Sequence, residues 1–356
     1  GFNDTQPGAG GPGAPAPEGS VLVVQPEVKE ATIVEGQPTI VDYTAMLKLP
    51  DGSTTDVTQE AKFEEEGAFF GMVLGTFAGA RFTAAGDRVG RTSILGTARG
   101  LQGRASLTLK TEKVVIGPGA DASSPGKFGG TEDPGAGPDW AYPDSGVIVP
   151  PNMNVLEFQF KPRPSQNLFE LTFDAPVLKL KVYFGCQTVG AGCGYTPDKA
   201  VWDLISSAGR DQDPLTYVLR AVSSTQPTRV GKSDPREIAF TKEDLTGGIY
   251  YWNAGAGSTR RYEFGVSGQK AEAYLDQVSG KALTCVGCHV LSRDGKKIAF
   301  GIDIPGGTYR VYDVASKSEV YNQPGGNFFS FSPDSSQVLV SGGANISLKS
   351  SADGSA

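Results

Sequence analysis

Histidine occurs once in this 356-residue chain, methionine and tryptophan three times each, and cysteine four times. Basic residues form no run, and 39 acidic against 32 basic residues leave a formal charge of −7. A surface of that kind argues against nucleic acid and anionic membrane as partners. No apolar stretch approaches the roughly 18–20 residues that span a bilayer. The best candidate, Gly67 to Ala80 (GAFFGMVLGTFAGA), is too short and too rich in glycine. No Walker or G-x-G-x-x-G loop opens a helix. Helix signals are themselves scarce. Only Thr196 to Gly209 (TPDKAVWDLISSAG) has them together, with Thr196 as N-cap, Pro197 at the first position and Asp198 in the first turn. No signal peptide is visible. The Gly/Pro-rich opening GFNDTQPGAGGPGAPAPEGS reads as a flexible tether left after removal of a targeting segment. A lipidated Cys just before Gly1 would suit such a tether.

What is abundant is punctuation: 48 Gly and 24 Pro, about a fifth of the residues against roughly 12% in average usage. Between these residues lie short runs of β-branched and aromatic residues with period-2 alternation, such as Val21–Val24, Thr39–Leu49, Val155–Phe160 and Leu178–Phe184. The pattern predicts a mostly β chain. Composition divides it into a tail at 1–18, a β unit at 19–116, a Gly/Pro-rich linker at 117–145, a second β unit at 146–252, and a segment at 253–356.

The first unit has the strand–turn–strand Met46 to Phe63 (MLKLPDGSTTDVTQEAKF), turning at Asp51-Gly52, and a closing strand Gly103–Lys110. It resembles a bacterial Ig-like domain, which implies a spacer or adhesive module. The second unit resembles a fibronectin-type-III-like β-sandwich. Its Cys186 and Cys193 flank a Gly-rich loop, and in an oxidising compartment they are expected to form a disulfide. In the last segment Leu291 to Phe300 (LSRDGKKIAF) aligns with Phe331 to Val340 (FSPDSSQVLV) at a spacing of 40, and Tyr309–Asp313 with Ile346–Ser350. This repeat resembles β-propeller blades of the TolB type. Fewer than two and a half blades fit, so the propeller is expected to be incomplete, with neighbouring subunits or further chain supplying strands. The expected fold class is therefore two β-sandwiches, a haem-binding segment and partial propeller blades.

The haem expectation comes from Cys285-Val-Gly-Cys288-His289, which matches the C-x-x-C-H attachment signature of c-type haem. Two thiols would add to the porphyrin vinyl groups, and His289 would be the proximal iron ligand. A structural disulfide, a thiol-redox pair and a zinc site are the alternatives for the same residues. The distal ligand is open. Met46, Met72 and Met153 precede the motif, and Met153, at the start of the adjoining domain, is the internal candidate. The resemblance to a c-type cytochrome implies an extracytoplasmic monohaem electron carrier with a redox partner protein. The alternatives are a structural or adhesive surface or filament protein, and a haem enzyme or sensor with an open distal site. With His289 committed to the motif, no Ser–His or Cys–His pair remains, which argues against a haem-independent enzyme. Glu64–Glu66 and Asp211–Asp213 read as solvated charges, although the Asp-rich turns could hold Ca²⁺. Periplasm, cell surface or secretion is the implied location.

Overall fold

The computed structural model describes residues 13–66, 73–153, 156–266, 271–275, 277–278, 281–282, 286–302, 307–342 and 345–356. The chain is mostly β and divides into two units, residues 1–245 and 246–356.

The first sandwich packs the sheet Val21–Gln25, Thr44–Lys48, Thr54–Asp56 over the strands Lys62–Glu65, Gly90–Ala98 and Leu101–Ile116. Alternation does the work here: Leu22, Val24, Ala45 and Leu47 point inward, meeting Phe63, Ile94 and Leu107. The predicted single strand Thr39–Leu49 is split. Ile40–Asp42 pairs with Arg81–Ala84, whereas Thr44–Lys48 pairs with Val21–Gln25, so buried Tyr43 marks a crossing between sheets.

The strand Leu101–Ile116 is much longer than the predicted Gly103–Lys110. Its first part pairs with Gly90–Ala98 and Val28–Thr32, and Thr111–Ile116 then pairs in parallel with Leu178–Tyr183 of the second sandwich. One strand thus belongs to both halves of unit 1. The second half adds Leu168–Ala175, Leu215–Val222 and Arg229–Lys232 to that sheet. A smaller sheet, Asp139–Tyr142, Phe158–Lys161, Gly192–Tyr195 and Gln187–Val189, accompanies it. Aromatic rings fill the core of this half: Trp140, Phe158 and Phe160 meet Phe169, Phe173 and Tyr217, mostly edge to face.

Two expectations need correcting in this unit. Residues 117–145 are no linker: Thr131–Asp133 pairs with Arg229–Gly231, Asp139–Tyr142 pairs with Phe158–Lys161, and Phe128 is buried. Their glycines serve close approach. A Cβ at Gly137 would lie 2.2 Å from Lys232 O, and one at Gly130 2.7 Å from Thr228 O. The helix spans Lys199–Gly209, and its cap is Asp198, whose carboxylate accepts from Val201 N at 2.8 Å, rather than Thr196. Trp202 of this helix packs on Phe240.

Among the described residues unit 2 has three antiparallel sheets of three or four strands, besides the two-stranded pair Gln277–Val278 and Lys281–Ala282. The first is Gly248–Asn253, Ser258–Glu263, Glu272–Leu275. The second is Val286–Leu291, Lys297–Ile302, Thr308–Asp313, Glu319–Pro324. The third is Phe328–Phe331, Gln337–Gly342, Asn345–Ser350. Ile298, Phe300 and Tyr312 pack against Tyr250 and Tyr274 of the first sheet. From the opposite face of the second sheet, Ala299, Tyr309 and Val311 pack against Phe329, Phe331, Val338 and Val340 of the third. This stacking bears out the blade-like repeat. The first sheet was not expected, because its sequence lacks the Ser-x-Asp turn that marks the other two.

Candidate interaction surfaces

The residues singled out for haem fall partly outside the described structure, and those inside it are spread over both units. Cys285 lies outside the described residues, as does Met72. Cys288 and His289 belong to the strand Val286–Leu291, with a register shift between Gly287 and Val290 and a left-handed φ of 51° at Cys288. A bulge of this kind interrupts the regular pairing of the strand. The Cys288 thiol is free and exposed, while His289 is half-buried, with Nε2 3.1 Å from Tyr250 O. The nitrogen expected to reach iron therefore faces a backbone carbonyl. Met153, the expected distal ligand, packs against the hydrophobic core of unit 1, with its N–H donating to Pro150 O at 3.0 Å. Among the described residues no group of three or more His, Cys, Asp or Glu side chains converges on a common point. These observations overturn the resemblance to a c-type cytochrome, and the electron-carrier reading and its redox partner lose the support it gave them.

The other cysteines behave as expected. Cys186 and Cys193 form a disulfide with Cα atoms 5.1 Å apart, joining the end of Leu178–Gly185 to the strand Gly192–Tyr195.

The acidic clusters are occupied by partners. Glu64 pairs with Lys62, Glu66 with Arg104, and Asp211 with Lys242. Glu65 is buried and accepts from Leu74 N with both carboxylate oxygens, at 3.0 and 2.9 Å. Burial pushes its carboxyl above the usual range, against the pull of those donors. It stands on the wall of a cleft of about 520 Å³ in unit 1, which Arg91, Arg210 and Lys242 also line. Sequence reasoning missed this cleft, because strand and helix residues far apart in sequence form it.

The repeated turns of unit 2 share one hydrogen-bond pattern. The Ser292 hydroxyl donates to Asp294 and accepts from Lys297 N; the Ser332 hydroxyl donates to Asp334 and accepts from Gln337 N. Each Asp also accepts from the backbone N–H two residues on, at Lys296 and Ser336. The carboxylate oxygens are thus turned onto their own backbone. The hydroxyls of Ser332 and then Ser336 hold the Asp334 carboxyl down at about 2. In the unfolded chain it titrates near 3.9. Its contribution to stability is therefore complete above about pH 4 and is lost as the pH falls towards about 2. We expect the melting temperature of unit 2 to be flat near neutrality and to drop below about pH 4, less steeply in Asp334→Asn. Thermal melts across that range would show equal slopes if the turn were irrelevant.

No family model matches the chain, and no curated protein matches it. Among solved structures it is similar to the titin Ig tandem A164-A165, at 10% identity, TM-score 0.18, and 64% of this chain and 99% of that one covered. It is also similar to a 6-phosphogluconolactonase of Bacteroides fragilis, so described provisionally, at 11% identity, TM-score 0.22 and 94% and 92% coverage. A third is a 1.5-MDa bacterial ice-binding adhesin, at 11%, 0.20, 94% and 96%. At such TM-scores the fold rests on this chain's own strand pairing.

Proposed function

We propose that this chain is a structural or adhesive module of the cell exterior, in which unit 1 acts as a stiff spacer. The observation that carries this reading is the strand Leu101–Ile116, which pairs within both sandwiches of the unit. A shared strand removes the flexible joint that ordinarily separates tandem domains, and rigidity is what a spacer requires. The Cys186–Cys193 disulfide supports an oxidising compartment, and hence periplasm, surface or secretion. No helix among the described residues is long and apolar enough to cross a membrane. Neighbouring subunits or surface partners take the place of the redox partner.

The test is retention of producing cells on a surface under shear flow. Removing the chain should reduce retention severalfold, and restoring it should recover retention. Unchanged retention, together with turnover of a small molecule by the purified chain, would reject the proposal.

A further inference from the structure

The polar cleft of about 520 Å³ in unit 1 has no part in a spacer's work. Its two walls come from different halves of the unit. One is the start of the strand Gly90–Ala98, where Arg91 and Ser93 share a face and Ser93 lies opposite Ser106. The other is the end of the helix Lys199–Gly209 with Arg210 and Gln212 after it, joined by Lys242 from beyond the strand Arg236–Phe240. Short contacts hold the walls together. Val89 N donates to the Ser207 hydroxyl at 3.1 Å, and a Cβ at Gly90 would lie 3.0 Å from Ser207 O. The buried Glu65 carboxylate accepts from Leu74 N and so fixes the one apolar side chain among the described lining residues.

The three cations of the lining differ in what already neutralises them. Arg210 is committed: its Nε donates to Lys242 O at 2.8 Å and its Nη2 lies 3.1 Å from Asp244, both side chains being largely buried. Lys242 reaches an exposed partner, Asp211, at 3.6 Å, in a pair that water screens. Arg91 is exposed and, among the described residues, has no carboxylate within ion-pair distance. Arg91 and Lys242 therefore keep charge to offer a ligand. The volume lies within the ordinary range for small-ligand sites, about 300–1,000 Å³, but the lining lacks the apolar and aromatic side chains that hold a lipid or a flat ring. Guanidinium and ammonium groups recognise a carboxylate, and serine hydroxyls and a glutamine amide recognise sugar hydroxyls.

We infer that this cleft binds an acidic sugar, with its carboxylate towards Arg91 and Lys242 and its hydroxyls towards Ser93, Ser106 and Gln212. Such a sugar comes either free or as a uronate residue of a polysaccharide. The second source would supply the adhesive module with its ligand, and to that extent the inference rests on the adhesive reading above.

Calorimetric titration of the full chain with galacturonate, oligogalacturonate and galactose tests it. Galacturonate should bind, and galactose should bind roughly tenfold more weakly or worse, for want of the charged hydrogen bonds. Arg91→Gln and Lys242→Gln should each weaken galacturonate binding severalfold at unchanged melting temperature. Tighter binding of the oligomer than of the monomer assigns the site to a polysaccharide; equal or weaker binding assigns it to the free sugar acid. Absence of galacturonate binding, binding that both variants leave intact, or inorganic sulfate competing as well as galacturonate does would overturn the inference. The titration uses purified chain, so its failure would leave cell retention under flow, and the adhesive reading, untouched.

Discussion

Phe160→Ala is expected to destabilise unit 1 by about 3–5 kcal/mol, the range for truncating a fully buried aromatic. Phe160 is 1% exposed, with its ring 4.8 Å from Phe169 and 6.1 Å from both Phe184 and Trp140. These neighbours come from both sheets of the second sandwich, so the cavity would open in the middle of that core. Strands on either side are hydrogen-bonded and cannot close over it. For a unit of this size the melting temperature should fall by roughly 8–15 °C. Phe160→Leu keeps most of the volume and should cost no more than about 1.5 kcal/mol. Calorimetry on the two variants would decide. If Ala and Leu cost the same, volume at this position does not hold the sandwich together.

Arg220→Ala is expected to cost a comparable amount, about 3–5 kcal/mol, for an electrostatic reason. Glu170 is 1% exposed and lies in the middle of the large sheet. Its carboxylate accepts from Arg220 Nη1 at 2.7 Å and from the Tyr183 hydroxyl at 2.5 Å. The same guanidinium donates to Phe128 O at 2.6 Å and lies over the Phe128 ring, tying residues 117–145 to the sheet. Burial and then the bond to Glu170 raise the pKa of Tyr183, so its hydroxyl stays protonated and cannot replace the lost cation. Removing Arg220 alone strands a buried anion. Removing both charges in Arg220→Ala/Glu170→Leu should therefore recover part of the loss. Urea unfolding of the three proteins measures this directly. A loss below about 1 kcal/mol for Arg220→Ala, the value of an exposed pair, would show that water reaches the carboxylate.

Local chemistry in the sequence foretold local structure. The period-2 runs Val21–Val24 and Leu178–Phe184 became strands, Cys186 and Cys193 became a disulfide, and the repeated Ser292 and Ser332 became turns with the same hydrogen bonds. Features that depend on long-range contacts were not legible. Glycine signals both flexibility and close backbone approach, and at Gly130 and Gly137 the second meaning holds. Asp198 displaced Thr196 as cap because the helix starts two residues later than the proline implied. The sheet Gly248–Leu275 joins the stack through Tyr250 and Tyr274, with no repeated turn to announce it. At Cys288 and His289 a short motif pointed to a cofactor, yet the Cys288 thiol is exposed and the imidazole meets Tyr250 O.

The strand shared between the two sandwiches also couples the stability of one to that of the other. Residues Thr111–Ile116 pair with Leu178–Tyr183, and the rest of the same strand is held by Gly90–Ala98, which precedes it in the chain. Opening the first sandwich would strip the second of its neighbour along Thr111–Ile116. The Leu178–Tyr183 edge of the later half is thereby covered by the earlier one rather than left open to pair with another molecule.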